Sequence, residues 1–304
     1  MPNVKRKSTP DLSIVIVSFN TKRITVDCIS SIFESLQGSN LDVEVIVVDN
    51  NSTDGSVDEI KRLQKNHEHV VFIEGKENVG FGKANNIAVE KASAETVLLL
   101  NSDTVVLEKA IEKLYLFYTE YHEKYPFVGA KLLNTDMTPQ PSAGRFFTLP
   151  VVFGFLFLRG DMWGLTRSSP MTVKYADWVS GACIITRKKL YQQLKGFDEG
   201  IFMYMEEVDL LYRAKLKGWS TGFYPDARFI HIGSASSGKT YPILQVYRGL
   251  TYFYMKHYSS ISRFLLKIML QLKALTAYII GRISGNEYLI KTYEEAYSIA
   301  KMAR

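Results

Sequence analysis

Two kinds of apolar pattern alternate along the first hundred residues. LSIVIVS (12–18) and VEVIVV (43–48) are short, β-branched and nearly continuous, the pattern of strands buried on both faces of a sheet. Between them Ile24, Cys28, Ile29, Ile32, Phe33 and Leu36 recur at helical spacing, and Gly38 follows as a stop. A second helix is predicted from Ser56 to about Lys65, with Ser52, Thr53 or Asp54 as its cap. A strand at 70–74, a helix near 82–92 and a strand within ETVLLLNSD (95–103) continue the series. Alternation of this kind predicts an α/β domain with a largely parallel sheet.

Beyond residue 103 the alternation loosens. The stripe Leu107, Ile111, Leu114 and Phe117/Tyr118 predicts a helix over 107–124, and FVGAKLL (127–133) a strand. Residues 134–177 are rich in Pro, Gly, Ser and aromatics and predict a long surface excursion. VSGACIITR (179–187) reads as a strand, and FMYMEEVDLLYRAKLKGW (202–219) as a helix with an acidic start and a basic end. WSTGFY (219–224) and RFIHIG (228–233) predict two short strands, and 234–241 a mobile link. From Leu244 the pattern is helical. ISRFLLKIMLQLKALTAYIIGRI (261–283) is long enough to span a bilayer, yet Lys267, Gln271 and Lys273 interrupt it. An interfacial amphipathic helix or a packed helical hairpin is therefore expected. The expected organisation is an N-terminal tail (1–11), a main domain (12–241) and a C-terminal helical segment (242–304).

Charge sharpens this division. The net charge is +6, but from Ser236 onward ten Lys/Arg face three Glu, which leaves the rest of the chain at −1. The basic tail, with its eleven aromatics, points to an anionic membrane surface, or to oligomer contacts through the same helices. No zinc-ligand spacing, RNP-like motif or basic heptad supports nucleic-acid binding. Two cysteines, Cys28 and Cys183, suit a reducing compartment, and MPNVKRKSTPD has no apolar core of a signal peptide. A cytoplasmic protein at the inner face of the plasma membrane is expected.

In a parallel sheet, ligands bind where strands end at their carboxyl side. Three polar clusters fall at such ends: Ser18-Phe19-Asn20, Asp49 to Gly55, and Asn101-Ser102-Asp103. Each could be no more than a turn or a helix cap; their shared placement predicts one polar crevice. Carboxylates beside short polar residues suit Mg²⁺ or Mn²⁺ together with substrate phosphates. Asn78 to Asn86 (NVGFGKANN) sets two glycines and Lys83 at a helix start, where backbone N–H groups and a cation can meet phosphate.

The ordered set SIVIVSFN (13–20), VVDNNSTDGS (47–56), NVGFGKANN (78–86), LNSD (100–103), WVSGA (178–182), the 202–219 segment and His231 resembles the family 2 glycosyltransferases. The resemblance covers about residues 12–233, and NVGFGKANN and MYMEEVDL resemble rhamnosyltransferase-type members that assemble surface polysaccharides. It implies the GT-A fold, an α/β nucleotide-diphospho-sugar fold with a mostly parallel central sheet, here followed by a C-terminal helical extension. It implies donor contacts by Val17, Ser18, Phe19, Asp49, Gly80, Lys83, Asn86, Ser102 and Asp103, with Asp49 on the nucleobase. Asn101-Ser102-Asp103 stands where the family carries D-x-D, so Asp103 is the implied metal ligand, joined by His231. Trp178, Gly181 and Tyr204 are implied on the acceptor side.

The family's catalytic base sits at the second position of an acidic pair, usually Glu-Asp. Here the pair is Glu206-Glu207, which implies Glu207 as base, leaves Glu206 as its rival and leaves Asp209 as scaffold. The implied reaction is an inverting transfer from a nucleoside-diphosphate sugar, dTDP-rhamnose favoured, aided by Mn²⁺ or Mg²⁺. The acceptor would be a hydroxyl of a glycan or a polyprenyl-diphosphate-linked sugar. Alternatives are a hexose or N-acetylhexosamine donor, or a nucleotide-sugar-binding module without activity. A nucleotidylyltransferase would want an N-terminal glycine-rich basic loop, which SIVIVSFNTKR does not supply.

Overall fold

The computed structural model describes residues 9–233 and 240–302. In chain order the elements begin with β1 (Leu12–Ser18), α1 (Lys22–Ser35), β2 (Val43–Asp49), α2 (Ser56–Asn66), β3 (Val70–Glu74), α3 (Phe81–Lys91) and β4 (Thr96–Leu100). There follow β5 (Thr104–Val106), α4 (Ala110–Tyr121), β6 (Phe127–Leu133), β7 (Pro139–Gln140), β8 (Ala143–Gly144) and α5 (Leu149–Phe157). Next come β9 (Arg167–Ser168), β10 (Lys174–Ala176), β11 (Trp178–Val179), β12 (Cys183–Arg187), α6 (Lys188–Gln193) and α7 (Glu206–Leu216). The chain ends with β13 (Thr221–His231), α8 (Thr240–His257), α9 (Ser260–Ser284) and α10 (Glu287–Met302).

The main sheet runs β10-β13-β6-β12-β4-β1-β2-β3, with β5 on β13 and β7 on β6. β1, β2, β3 and β4 pair in parallel, as do β6 and β13, while β12 runs antiparallel between β4 and β6. Alternate side chains of each strand enter opposite layers. Ile14 and Ile16 pack with α1 and α4, whereas Val15 and Val17 pack with α3 and α7. All seven residues of β1 are buried, which is why LSIVIVS shows no polar alternation.

The structure differs from the sequence expectations in several places, and the strand expected at 179–187 is two, β11 ending at Val179 in a small second sheet and β12 starting at Cys183. The two strands expected at 219–224 and 228–233 are one strand, β13, with a register shift between Tyr224 and Arg228. The expected excursion at 134–177 contains α5 and four short strands. β5 forms at 104–106, between the polar cluster and the expected helix, where no element was expected. The link expected at 234–241 lies mostly outside the described residues.

The C-terminal helices join the main core. Leu244, Leu250, Phe253, Leu266, Leu270, Ala274, Ala296 and Ala300 are buried in the same apolar layer as Val208 and Leu211 of α7. The stripe Leu266, Leu270, Ala274, Ala277 and Gly281 is the buried face of α9. Its opposite face stays open: Phe264, Ile268, Leu272, Leu275, Ile279 and Ile283 are exposed. Among the described residues α9 is the one helix long and apolar enough to cross a membrane.

Candidate active site

The crevice is built by strand ends, as the topology rule requires. Ser18 and Asp49 are register partners at the ends of β1 and β2. Asp49 is fully buried, and its Oδ2 accepts the Ser52 N–H at 2.8 Å. Its Oδ1 finds no partner among the described residues, an orphaned acceptor at the floor of the crevice. Ser18 turns its hydroxyl to Thr25 (3.1 Å), so it offers the crevice its backbone. Val17 is buried beside it, and Phe19 is half-buried at the rim.

Asn50 holds the next wall. Its Oδ1 accepts the Val79 N–H at 3.0 Å, and its amide donates to Asn78 Oδ1 at 2.8 Å. Gly80 has φ +86°, and a Cβ there would meet the Phe202 carbonyl oxygen at 2.7 Å. The neighbouring Phe81 N–H donates to that same carbonyl at 3.0 Å. Glycine at position 80 thus lets the start of α3 seat directly on the 202–205 segment. Lys83 approaches Glu199 at 3.8 Å on the surface. Asn86 is used within the fold: its Oδ1 accepts from Tyr191 Oη (2.6 Å) and Phe197 N (2.9 Å), and its amide donates to Phe197 O (2.9 Å).

A second cluster forms where β5 pairs with β13. Thr104 opposes His231, and the Ile232 N–H donates to the Asp103 carbonyl at 2.9 Å. Strand pairing alone brings Asp103 Oδ1 to 3.3 Å from His231 Nε2. Burial raises the Asp103 carboxyl, but the hydrogen bond and charge of His231 outweigh it, and the group is held below the usual carboxylate range. Gln140, which belongs to no motif in the sequence, orients the imidazole. Its amide nitrogen donates to His231 O (3.1 Å) and Asn134 Oδ1 (3.0 Å), so its Oε1 accepts from His231 Nδ1 at 2.7 Å. Nε2 is thereby the ring nitrogen that faces Asp103, the arrangement by which an outer partner orients a metal-binding histidine. Asn101 Oδ1 is buried beside them without a partner. Ser102 is buried next to Asp103. No group of three or more His, Cys, Asp and Glu that could hold a metal occurs among the described residues. Asp103 Oδ1, His231 Nε2 and the orphaned Asn101 Oδ1 nonetheless form a set of hard and borderline donors that fits a divalent cation completing its shell with phosphate oxygens.

The third part is the first turn of α7. Tyr204 and Met205 both have positive φ (64° and 78°), an uncommon pair of left-handed residues that redirects the chain into the helix. Gly249 of α8 packs against this strained turn; a Cβ there would meet Tyr204 O at 2.9 Å and Met205 Cγ at 2.7 Å. Glu206 and Glu207 follow. Adjacent helical residues point about 100° apart, and here the two separate cleanly. Glu206 is buried in the protein, while Glu207 lines an open cleft of about 370 Å³ with Trp178, Tyr204, Phe147, Arg167 and Lys273. Each has an Oε2 without a partner among the described residues. Burial pushes Glu206 well above the usual range, and the charge of Glu207 adds to it. Burial also raises Glu207, but backbone N–H groups, including that of Gly181, and the Arg167 charge pull the other way. Gly181 lies against the Glu207 side chain, and Trp178 is held by its Nε1–H donating to Arg145 O at 2.8 Å.

Asp209 has richer partners than the helix dipole alone suggested. Fully buried, it accepts from Arg213 Nε (2.7 Å), Lys256 Nζ (2.8 Å) and His257 Nε2 (2.7 Å), which ties α7 to α8. Burial raises its pKa, but these three partners outweigh it and hold it at about 2.

Comparison with known proteins shows the family and the fold. The family model described as glycosyl transferase family 2 matches residues 13–173, and a glycosyl transferase family group 2 model matches 96–276. A low-salt glycan biosynthesis hexosyltransferase, Agl10, of Haloferax volcanii is 24% identical over 72% of this chain, which spans 66% of that relative's length. An N-acetylglucosaminyl-diphospho-decaprenol L-rhamnosyltransferase of Mycobacterium tuberculosis is 27% identical over 65% of this chain and 69% of its own. The rhamnosyltransferase WbbL of Escherichia coli is 28% identical over 72% of this chain and 82% of its own. Among solved structures, the mannosyltransferase PcManGT of Pyrobaculum calidifontis, in complex with GDP-Man and Mn²⁺, superposes with a TM-score of 0.56. The match covers 96% of this chain and 86% of that one at 16% identity, a likeness of fold, here GT-A. With more than half of its length matched by the family model, the chain belongs to glycosyl transferase family 2, within which it is rhamnosyltransferase-like.

Proposed function

We propose that the protein transfers a sugar, rhamnose favoured, from a nucleoside-diphosphate donor to a hydroxyl of a glycan or polyprenyl-linked acceptor in surface-polysaccharide synthesis, with inversion. The observation that carries this reading is the position of Glu207, a carboxylate raised by burial, with its Oε2 unpartnered among the described residues, at the wall of an open aromatic cleft. The names of the bacterial relatives support the donor class, and their acceptors remain theirs.

Each part of the chain has a task in this reaction. The orphaned Oδ1 of Asp49 accepts an N–H of the nucleobase, which resolves a buried unsatisfied acceptor. The backbone at 17–19 and the α3 N-terminus around Gly80 line the donor, and Lys83 supplies a cation near its phosphates. Asp103 and His231, with Asn101 beside them, would hold a divalent cation, Mn²⁺ or Mg²⁺. Bound there, such an ion supplies positive charge to the diphosphate as it leaves. Glu207 accepts the proton of the acceptor hydroxyl while that oxygen bonds to the anomeric carbon. The bond from that carbon to the diphosphate oxygen breaks on the opposite side, and the electron pair leaves with the nucleoside diphosphate. Trp178 and Tyr204 present a flat apolar wall to the acceptor sugar.

Asp103→Ala tests the donor half of this reading. The variant is expected to lose cation-dependent binding of nucleoside-diphosphate sugars, measured by calorimetry across a panel with Mg²⁺ or Mn²⁺. It should remain folded, because Asp103 lies at a turn and not in either apolar layer. Wild-type cation dependence in Asp103→Ala would overturn the assignment.

A further inference from the structure

The cleft that carries Glu207 is mostly apolar and aromatic, with Phe147, Phe155, Trp178, Val246 and Tyr293 on its walls. Two cations interrupt that lining, and they differ. Arg167 is paired: its Nε donates to Asp161 Oδ2 at 2.9 Å. Lys273, from α9, is half-buried and has no carboxylate partner among the described residues. Arg159, two residues past the end of α5, contributes a repelling charge. Arg159 likewise has no carboxylate partner among the described residues. Burial, and then this repulsion, lower the Lys273 pKa, so the fold pays to keep an ammonium here.

A cation half-removed from water and facing an apolar cleft is unfavourable unless an anion joins it. Among the described residues no carboxylate pairs with Lys273, and Glu207, the one carboxylate in the cleft lining, is not among the charges acting on it. Glu207 lines the same cleft from α7, so the anion must come with whatever Glu207 acts upon. We propose that Lys273 holds a phosphate or diphosphate group of the acceptor, while Glu207 receives the acceptor's hydroxyl in the same cleft. This rests on the reading of Glu207 as the base.

The assignment gives the C-terminal helical segment a role in substrate choice. A carboxylate from α7 and an ammonium from α9 select a molecule with a hydroxyl and a phosphate on one small body. The cleft's 370 Å³ falls within the usual range of small-molecule sites. Beside it, the outward face of α9 carries Ile268, Leu272, Leu275 and Ile279, all exposed, an apolar surface along which a lipid chain can run. A phosphate with a lipid tail and a sugar head fits all three features at once.

The test uses the full chain and farnesyl diphosphate as probe, in EDTA so that binding does not depend on a divalent cation. Wild type is expected to bind it, Lys273→Gln about tenfold or more weakly, and Lys273→Arg within about threefold of wild type, since both cations hold phosphate. Farnesol should bind wild type and Lys273→Gln equally. Vesicles containing phosphatidylglycerol should also bind both equally, which separates an acceptor phosphate from a lipid headgroup. Equal binding of farnesyl diphosphate by wild type and Lys273→Gln would overturn the proposal. So would a matching loss of vesicle binding in Lys273→Gln, which would assign the lysine to headgroups. Hydrolysis of a nucleoside-diphosphate sugar by the wild type reports the transferase reading separately: if it persists while the Lys273 effect is absent, only the phosphate subsite fails.

Discussion

Glu207→Gln is expected to lower sugar transfer about 10²- to 10⁴-fold, the usual contribution of a positioned general base. The amide keeps the shape and loses the proton acceptor, so donor binding measured by calorimetry should stay near wild type. Glu206→Gln is expected to retain most of the activity, because Glu206 is buried away from the cleft that Glu207 lines. The two variants also separate in stability. Glu206 has a folded-state pKa well above its ordinary value, owing first to burial and then to the Glu207 charge. A carboxyl raised in this way favours the folded state below its unfolded pKa, and that advantage is lost as pH rises through the folded value. At neutral pH Glu206→Gln should therefore unfold at higher urea than wild type. Transfer itself should fall as pH drops through the raised pKa of Glu207, because a protonated base cannot accept the hydroxyl proton. Loss of transfer in Glu206→Gln with activity kept in Glu207→Gln would reverse the assignment.

Asp209→Ala is the second large effect expected, and it falls on stability. Removing one partner of a buried ion network leaves the others charged and unpaired, at a cost of about 3–5 kcal/mol. Here Arg213, Lys256 and His257 all lose their shared carboxylate. Lys256 keeps Asp198, and Arg213 keeps the carbonyl oxygens of Leu194 and Gly196, so the loss should sit in the lower part of that range. The wild type should show the matching acid limb. Asp209 is depressed from 3.8 to about 2 in the fold, so its contribution is complete above pH 3.8 and fades as pH falls toward 2. Urea unfolding of the variant at neutral pH checks the magnitude. A loss below about 1 kcal/mol, the worth of an exposed ion pair, would contradict a buried network. Because the network braces the first turn of α7 against α8, transfer should fall along with stability.

The parallel strands were readable because burial on both faces leaves an unbroken apolar run, as in LSIVIVS. The three polar clusters at strand ends were readable for the same reason: each begins where such a run stops. α5 was hidden by its own composition, since LPVVFGFLF is apolar all round and shows no period. β5 is three residues long and exists because β13 pairs with it, a long-range fact that no local window contains. Gln140 was invisible because its task, turning His231, depends on a residue 91 positions away. Lys273 was visible only as an interruption of an apolar stretch; its place in the Glu207 cleft required the packing of α9 against α5 and α8. The choice between Glu206 and Glu207 turned on helix rotation. Sequence names the pair, and the start angle of α7, set by the left-handed Tyr204 and Met205, decides which one faces the cleft.

The central claim is a single displacement in which Glu207 takes the acceptor proton opposite the departing diphosphate. Proton NMR of the anomeric centre of the product, formed with Mg²⁺ from a donor of known configuration, tests it most directly. The account predicts the configuration opposite to that of the donor, from wild type and from Glu206→Gln, and no detectable product from Glu207→Gln in the same time. A product with the donor's own configuration would contradict it.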